Sequence, residues 1–165
     1  MLQMRKVIVN STPIIALASI GELHILEDMY QKILIPEAVY MELTVKDDTV
    51  SDQLRSAEWI HTKKITNIED RRMYKARLHA GEVEVMILAQ EESADLIVLD
   101  DYAARKTAAY LGLTVTGTLG IIVKAKQRGF VQDVMPLISA LEDTGFYMSD
   151  ELKAYVMRAI KEERK

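Results

Sequence analysis

The 165-residue chain contains no cysteine and few prolines or histidines, three of each. The absence of cysteine excludes disulfides, thiolate metal sites and a cysteine nucleophile, and it fits a reducing compartment. No apolar run of membrane-spanning length and no secretory leader can be recognised, so we expect a soluble, cytoplasmic protein. The net charge is −4, so a nucleic-acid ligand would need a local basic patch or a bridging cation to offset phosphate repulsion.

Hydrophobic residues make up 49% of the chain, which is enough to bury a core. The length and the absence of a linker-like segment predict a single domain over residues 1–165. Short apolar strands alternate with helical segments, and this order is typical of a parallel sheet covered by helices on both faces. We therefore predict an α/β fold, a three-layer α/β/α sandwich around a parallel sheet of about four or five strands. The strands are expected at residues 6–10, 32–35, 60–65, 96–99 and 113–115.

The first helix is predicted to follow Ser11, Thr12 and Pro13, a hydroxyl cap with proline in the first turn. A loop is expected over 45–51, and helices from about residue 132 are expected to pack on the core or on a dimer partner. The charged segment 69–78 favours a helix with a basic run. That run is either a solvated face or a contact for nucleic acid or an acidic partner.

The most informative stretch is residues 78–105, which predicts a helix, a turn and a buried strand. Glu82 lies in the first turn of the helix, and Asp100 and Asp101 follow the strand. Ligands of open α/β sheets bind just beyond the carboxyl ends of the strands, so the two aspartates are site candidates. They could equally cap the next helix, as aspartate often does. The sequence leaves both interpretations open.

Further polar residues fall at corresponding places along the chain, where strands end and helices begin. Carboxylates that converge there would repel one another, and a divalent cation would make the cluster tolerable. Mg²⁺ and Mn²⁺ prefer oxygen ligands and can polarise a phosphodiester and activate water. The residues expected to converge are Asn10, Glu42, Glu82, Asp100, Asp101 and Thr118.

Other chemistries find little support. The three histidines show no paired metal-ligand spacing, and His79 is better explained by a surface or capping role. Ser11 and Thr12 have no Ser-His-Asp arrangement around them, although one hydroxyl could face the acidic crevice. There is no phosphate-binding glycine loop, and no DxDx-type aspartyl nucleophile that would indicate a phosphatase.

Together these segments resemble the PIN (PilT N-terminus) domain family, in particular an uncharacterised PIN-like subfamily of archaea and bacteria. The matching pieces cover most of the chain, and their order and spacing carry the resemblance. They are VIVNSTPIIALASIG, IPEAVYMEL, LHAGEVEVMILAQEESADLIVLDDYAARKTAAYLGLTVTGTLGIIVKAKQRG and LISALEDTGFYMSDEL.

The resemblance implies a ribonuclease that depends on Mg²⁺ or Mn²⁺ and acts on RNA. PIN proteins commonly pair, so a homodimer is also expected. One role it implies is the toxin half of a toxin–antitoxin pair, with an antitoxin protein as partner. The family's acids fall on Glu42, Glu82 and Asp101, with Asp100 as an added catalytic acid and Asn10 as a fourth metal ligand. Ser11, Thr118 and Arg105 are the expected substrate contacts.

This chain departs from the family pattern at Asn10, where most PIN nucleases carry aspartate. Asparagine keeps an oxygen ligand but loses the charge, so a metal would be held less tightly. Asp100 could restore that charge if its side chain turns inward. The departure leaves a second hypothesis open, a PIN-fold module that binds RNA or a protein partner without cleaving.

Overall fold

The structure is a computed structural model that describes residues 5–70 and 78–163. Its strands are β1 (Val7–Val9), β2 (Ile33–Pro36), β3 (Ile60–Lys63), β4 (Leu96–Val98) and β5 (Val115–Thr116). They form one sheet in the order β3-β2-β1-β4-β5, and every neighbouring pair is parallel. The predicted parallel sheet is therefore confirmed, and the weakest predicted strand, over 60–65, is real.

Nine helices surround the sheet in the part of the chain that the structure describes. They are α1 (Ser11–Ser19), α2 (His24–Tyr30), α3 (Glu37–Thr44), α4 (Thr49–Ser56), α5 (Ala80–Glu92), α6 (Tyr102–Tyr110), α7 (Thr118–Gln127), α8 (Met135–Asp143) and α9 (Asp150–Glu163).

The topology places a crevice between β1 and β4. The chain steps from β1 to β2 and β3 in one direction, returns to β4 beside β1, and then steps the other way to β5. Right-handed crossovers put the helices of the two directions on opposite faces, which gives the predicted three-layer sandwich. Val9 is in register with Val98, and the N–H of Asn10 donates to the carbonyl of Val98 across 3.0 Å. The carboxyl ends of β1 and β4 thus lie side by side at the topological switch point.

Helix α5 is buried almost all round. Residues 81–89 are all buried, and most of them are aliphatic. A helix that is apolar on every face is normally buried. Glu82 and Glu84 lie on this helix and are therefore buried as well. The Oε1 of Glu84 accepts a hydrogen bond from the N–H of Ala38, in the first turn of α3. The partial positive charge at the N-terminus of α3 favours the carboxylate of Glu84. This contact gives Glu84 a structural role.

Several local predictions need correction. Residues 49–51 belong to α4 and not to a loop, because Asp48 caps this helix through the N–H of Ser51. The last strand begins at Val115, two residues later than predicted, because the N–H of Leu113 still bonds the carbonyl of Ala108 and closes the end of α6. The basic run at 71–77 lies outside the described residues.

The C-terminal helix α9 packs against α7. Val156 is buried, whereas Tyr155 and Met157 remain about half exposed. One face of this helix therefore completes the core of this chain, and the other faces solvent. Over the described ranges, no helix combines the length and apolar character needed to cross a bilayer.

Candidate functional site

The first site residues follow β1 directly. Helix α1 begins at Ser11, with Asn10 in the N-cap position, and no side chain caps it. The predicted hydroxyl cap is thus wrong. Instead the hydroxyl of Ser11 donates to Oε2 of Glu42, on α3, across 2.7 Å. Ser11 is buried, so its hydroxyl needs a hydrogen-bond partner within the protein. Glu42 is that partner, and the hydrogen bond orients its carboxylate.

Glu42 reaches the start of α5. Its Oε1 lies against Gly81, where a β-carbon would collide with it. A glycine in the first turn of this helix allows the carboxylate to approach the backbone, and the partial positive charge of the helix N-terminus favours an anion there.

Glu82 occupies the next position on α5 and is only 5% exposed. Its Oε1 accepts a hydrogen bond of 2.9 Å from the N–H of His79, the residue before the helix. Burial raises the pKa of Glu82; the His79 hydrogen bond opposes that rise, and the negative charges of Asp101 and Glu42 add to it. The site therefore contains an acid whose ionised form is disfavoured by its surroundings.

A small cavity of about 200 Å³ joins these residues. It is lined by Asn10, Ser11, Thr12, Glu42, His79 and Glu82. Asn10 is 4% exposed, and its Oδ1 has no hydrogen-bond partner among the described residues. A buried oxygen acceptor without a donor is costly. An unsatisfied oxygen beside two carboxylates is the arrangement that a cation would relieve.

The two aspartates after β4 have separate roles. Asp101 caps α6, since it accepts a hydrogen bond of 2.9 Å from the N–H of Ala104. Its charge still acts on Glu82, and it lines a second cavity that shares Thr12 with the first. The capping interpretation of Asp101 is therefore confirmed, and its role as a site residue stays a prediction.

Asp100 turns to the other side, toward the start of α7. Its oxygens accept from the N–H and the hydroxyl of Thr118, at 2.8 and 2.6 Å. Burial raises the pKa of Asp100, while the Thr118 hydrogen bonds and the charge of Arg105 oppose that rise. Asp100 does not line the cavity of Asn10, so the structure does not bring it to the place where it could replace the missing charge.

The donor set fits a hydrated cation better than a cage of acids. Among the described residues, no group of three or more His, Asp or Glu side chains could hold a metal ion together. Mg²⁺, however, keeps several waters and is usually bound through one or two carboxylates. Glu42, Glu82 and the amide oxygen of Asn10 meet that requirement with oxygen atoms alone.

The second cavity, of about 870 Å³, adjoins the first and was not predicted from the sequence. Thr12 of α1 and residues 100–102 and 105, at and after the end of β4, form part of its wall, and the rest comes from the segment between α8 and α9 and from α9. Four aromatic side chains line it: Tyr102, Phe146, Tyr147 and Tyr155. These residues are scattered along the chain without a motif, and the turn that brings them together exists only in the folded protein.

The family is shown by a match that covers nearly the whole chain. A family model described as a PIN domain matches residues 6–162, and the sheet order and site topology are those of an α/β/α sandwich. The chain belongs to the PIN-domain family. No curated protein matches this PIN domain in sequence. Family membership supports a nuclease role in general, with RNA as the usual ligand and a divalent metal as the usual cofactor.

Proposed function

We propose that this PIN domain is a Mg²⁺- or Mn²⁺-dependent endoribonuclease that hydrolyses RNA phosphodiester bonds. The observation that carries the proposal is the unpartnered Oδ1 of buried Asn10 in one small cavity with Glu42 and Glu82. A cation there would satisfy this oxygen and offset the repulsion between the two carboxylates.

The chain's own residues would hold and orient the site. Glu42 is fixed by Ser11, and Glu82 is fixed by the N–H of His79, so each keeps a second oxygen for an ion. Asp101 adds negative charge from the neighbouring wall. A divalent ion, when bound, polarises a phosphodiester and lowers the pKa of water.

The substrate would be positioned from the β4 side of the crevice. The Arg105 side chain lines the larger cavity, and among the described residues it acts on Asp100 through its charge but makes no hydrogen bond or close ion pair. Its guanidinium could therefore contact a phosphate. Thr118 is fully buried and bonded to Asp100. We therefore revise its expected role from a substrate contact to an orienting contact for Asp100.

The test is cleavage of a fluorescently labelled RNA with Mn²⁺, with Mg²⁺ and with EDTA. Native protein should cut with either ion and stop with EDTA, and Glu42→Gln and Glu82→Gln should each lose at least about tenfold in kcat/KM. Glu37→Gln is the matched control, because Glu37 lies on the same helix as Glu42 but does not line the small cavity. Cleavage that persists in Glu82→Gln would refute the proposal.

A second candidate function has its own support. Asn10 lacks the charge of the family's usual aspartate, and the described acids form no three-residue metal group. Both facts favour a module that binds RNA or a protein partner without cleaving it. If native protein binds RNA but does not cut, while Asn10→Asp cuts, the binding module is the correct assignment.

The toxin role, an antitoxin partner and homodimer formation extend the proposal on the basis of the family resemblance, and a cytoplasmic location extends it on the basis of composition. Two features support them. The chain contains no cysteine, which fits a reducing compartment. Met157 of α9 and Ile15 of α1 are exposed apolar side chains that a partner could cover. Sedimentation of the purified protein would test the dimer.

A further inference from the structure

The wall of the larger cavity, beside the acids, carries several exposed tyrosine side chains. Tyr102 is 79% exposed, Tyr147 is 84% exposed and Tyr155 is 49% exposed. All three line this cavity of about 870 Å³. These rings gather an uncovered aromatic surface around one cavity, so a ligand that stacks on them would explain their position.

The cavity adjoins the proposed metal site. Thr12 lines both cavities, and Asp101 lines the larger one while its charge acts on Glu82 in the smaller. A ligand that places a phosphate at the acids would therefore have its next portion over the tyrosines.

The charges of the wall indicate which portion that is. The cavity is lined by Asp100, Asp101 and Glu151 against one cation, Arg105. A run of phosphates would be repelled by this surface, apart from one at Arg105. A neutral, planar group that stacks on aromatic rings would not be repelled. In nucleic acids that group is the base, and its face is free to stack on protein when the base is unpaired.

We infer that the cavity formed by Tyr102, Tyr147 and Tyr155 is a base-binding subsite that takes an unpaired nucleobase next to the phosphate placed at the acids. This inference rests on the proposed function. The tyrosines act as positioning residues: they hold the RNA strand in register with Glu42 and Glu82 and take no part in bond cleavage.

The experiment measures binding and cleavage separately on short, labelled, single-stranded RNA. Binding is followed by fluorescence anisotropy in EDTA, and cleavage with Mn²⁺ is followed at steady state. Tyr147→Ala and Tyr102→Ala should each weaken binding roughly 5- to 150-fold, the range that loss of one base–aromatic stack gives. KM should rise with little change in kcat, and Tyr147→Phe should restore both values because the ring is retained.

Tyr110→Ala is the matched control. Tyr110 is 91% exposed at the far end of α6 and does not line the cavity, so its variant should behave as native protein. An oligonucleotide with one abasic position should bind native protein as weakly as the intact oligonucleotide binds Tyr147→Ala.

The outcomes separate the two proposals. Metal-dependent cleavage that is unaffected by the tyrosine variants would overturn the base subsite and leave the nuclease intact. Tyrosine-dependent RNA binding without any cleavage would support the subsite and refute the nuclease. Absence of RNA binding to native protein would overturn both. A protein partner whose capture requires the tyrosines, while RNA binding does not, would assign the cavity to protein and overturn the subsite.

Discussion

Oε1 of Glu42 lies so close to Gly81 that a β-carbon at position 81 would overlap it. This contact joins α3 to the first turn of α5, and it places one candidate metal ligand beside the next, Glu82. Glycine is normally unfavourable inside a helix. Its presence here has a specific structural reason, and that reason can be tested.

Gly81→Ala should displace Glu42 and weaken Mn²⁺ binding by at least about tenfold, as the loss of an orienting contact does. In a Glu42→Ala background the collision is absent, and the same change should then stabilise the protein by about 0.5–1 kcal/mol, the ordinary gain of alanine over glycine in a helix. Urea unfolding of the four proteins in this double-mutant cycle measures the coupling. Equal effects of Gly81→Ala in both backgrounds would show that the contact has no energetic consequence.

Asn10→Asp should exchange stability for metal affinity. Without metal, a third carboxylate next to Glu42 and Glu82 adds repulsion and burial cost, so the variant should unfold at a lower urea concentration than native protein. With saturating Mn²⁺ it should gain more stability than native protein does, because a ligand that binds the native state more tightly stabilises it more. Gln132→Glu adds the same charge at an exposed position and should show neither effect. Unchanged Mn²⁺ affinity in Asn10→Asp would remove Asn10 from the ligand set.

Thr118→Val should destabilise the fold by about 1–3 kcal/mol, because it leaves the half-buried carboxylate of Asp100 without its 2.6 Å hydrogen bond from the Thr118 hydroxyl. Thr118→Ser keeps the hydroxyl and should recover most of that loss. The measurement is the urea midpoint at constant slope. Equal stability of the Val and Ser variants would mean that the hydroxyl does not support Asp100.

A pH effect is expected at His24, which lines neither cavity of the site. Its ring nitrogens lie 3.1 Å from Asp28 and 2.8 Å from Glu22. The Asp28 hydrogen bond raises the pKa of His24 above 6.5; partial burial opposes the rise, and the charge of Glu22 adds to it. The raised pKa means that the folded protein binds this proton more tightly than the unfolded chain does.

The resulting stabilisation is fully present below the unfolded pKa and is lost as the pH rises through the raised folded pKa. His24→Gln should therefore be less stable than native protein at about pH 5.5 and similar to it at about pH 8.5, by urea unfolding. A stability deficit that is the same at both values would show that the His24 charge does not contribute.

The sequence determined the layout of this protein. The apolar runs at β1 and β4 and the alternation of strands with helices specify a parallel sheet, because such strands can be buried only between two layers of helices. The polar residues that follow those strands, Asn10 and Asp101, must then lie at the same edge. That argument depends on local periodicity and on handedness, and neither requires knowledge of distant contacts.

The tertiary structure decided which polar groups meet. Nothing local distinguishes Ser11 as an orienting contact for Glu42 from Ser11 as a helix cap, and nothing local sends Asp100 to Thr118 while Asp101 stays beside the crevice. Likewise, Tyr102 and Tyr147 share a cavity only because the turn after α8 lies close to the residues that follow β4. Hydrogen bonds and cavities between residues far apart in the chain depend on how the helices pack. No short stretch of sequence determines that packing.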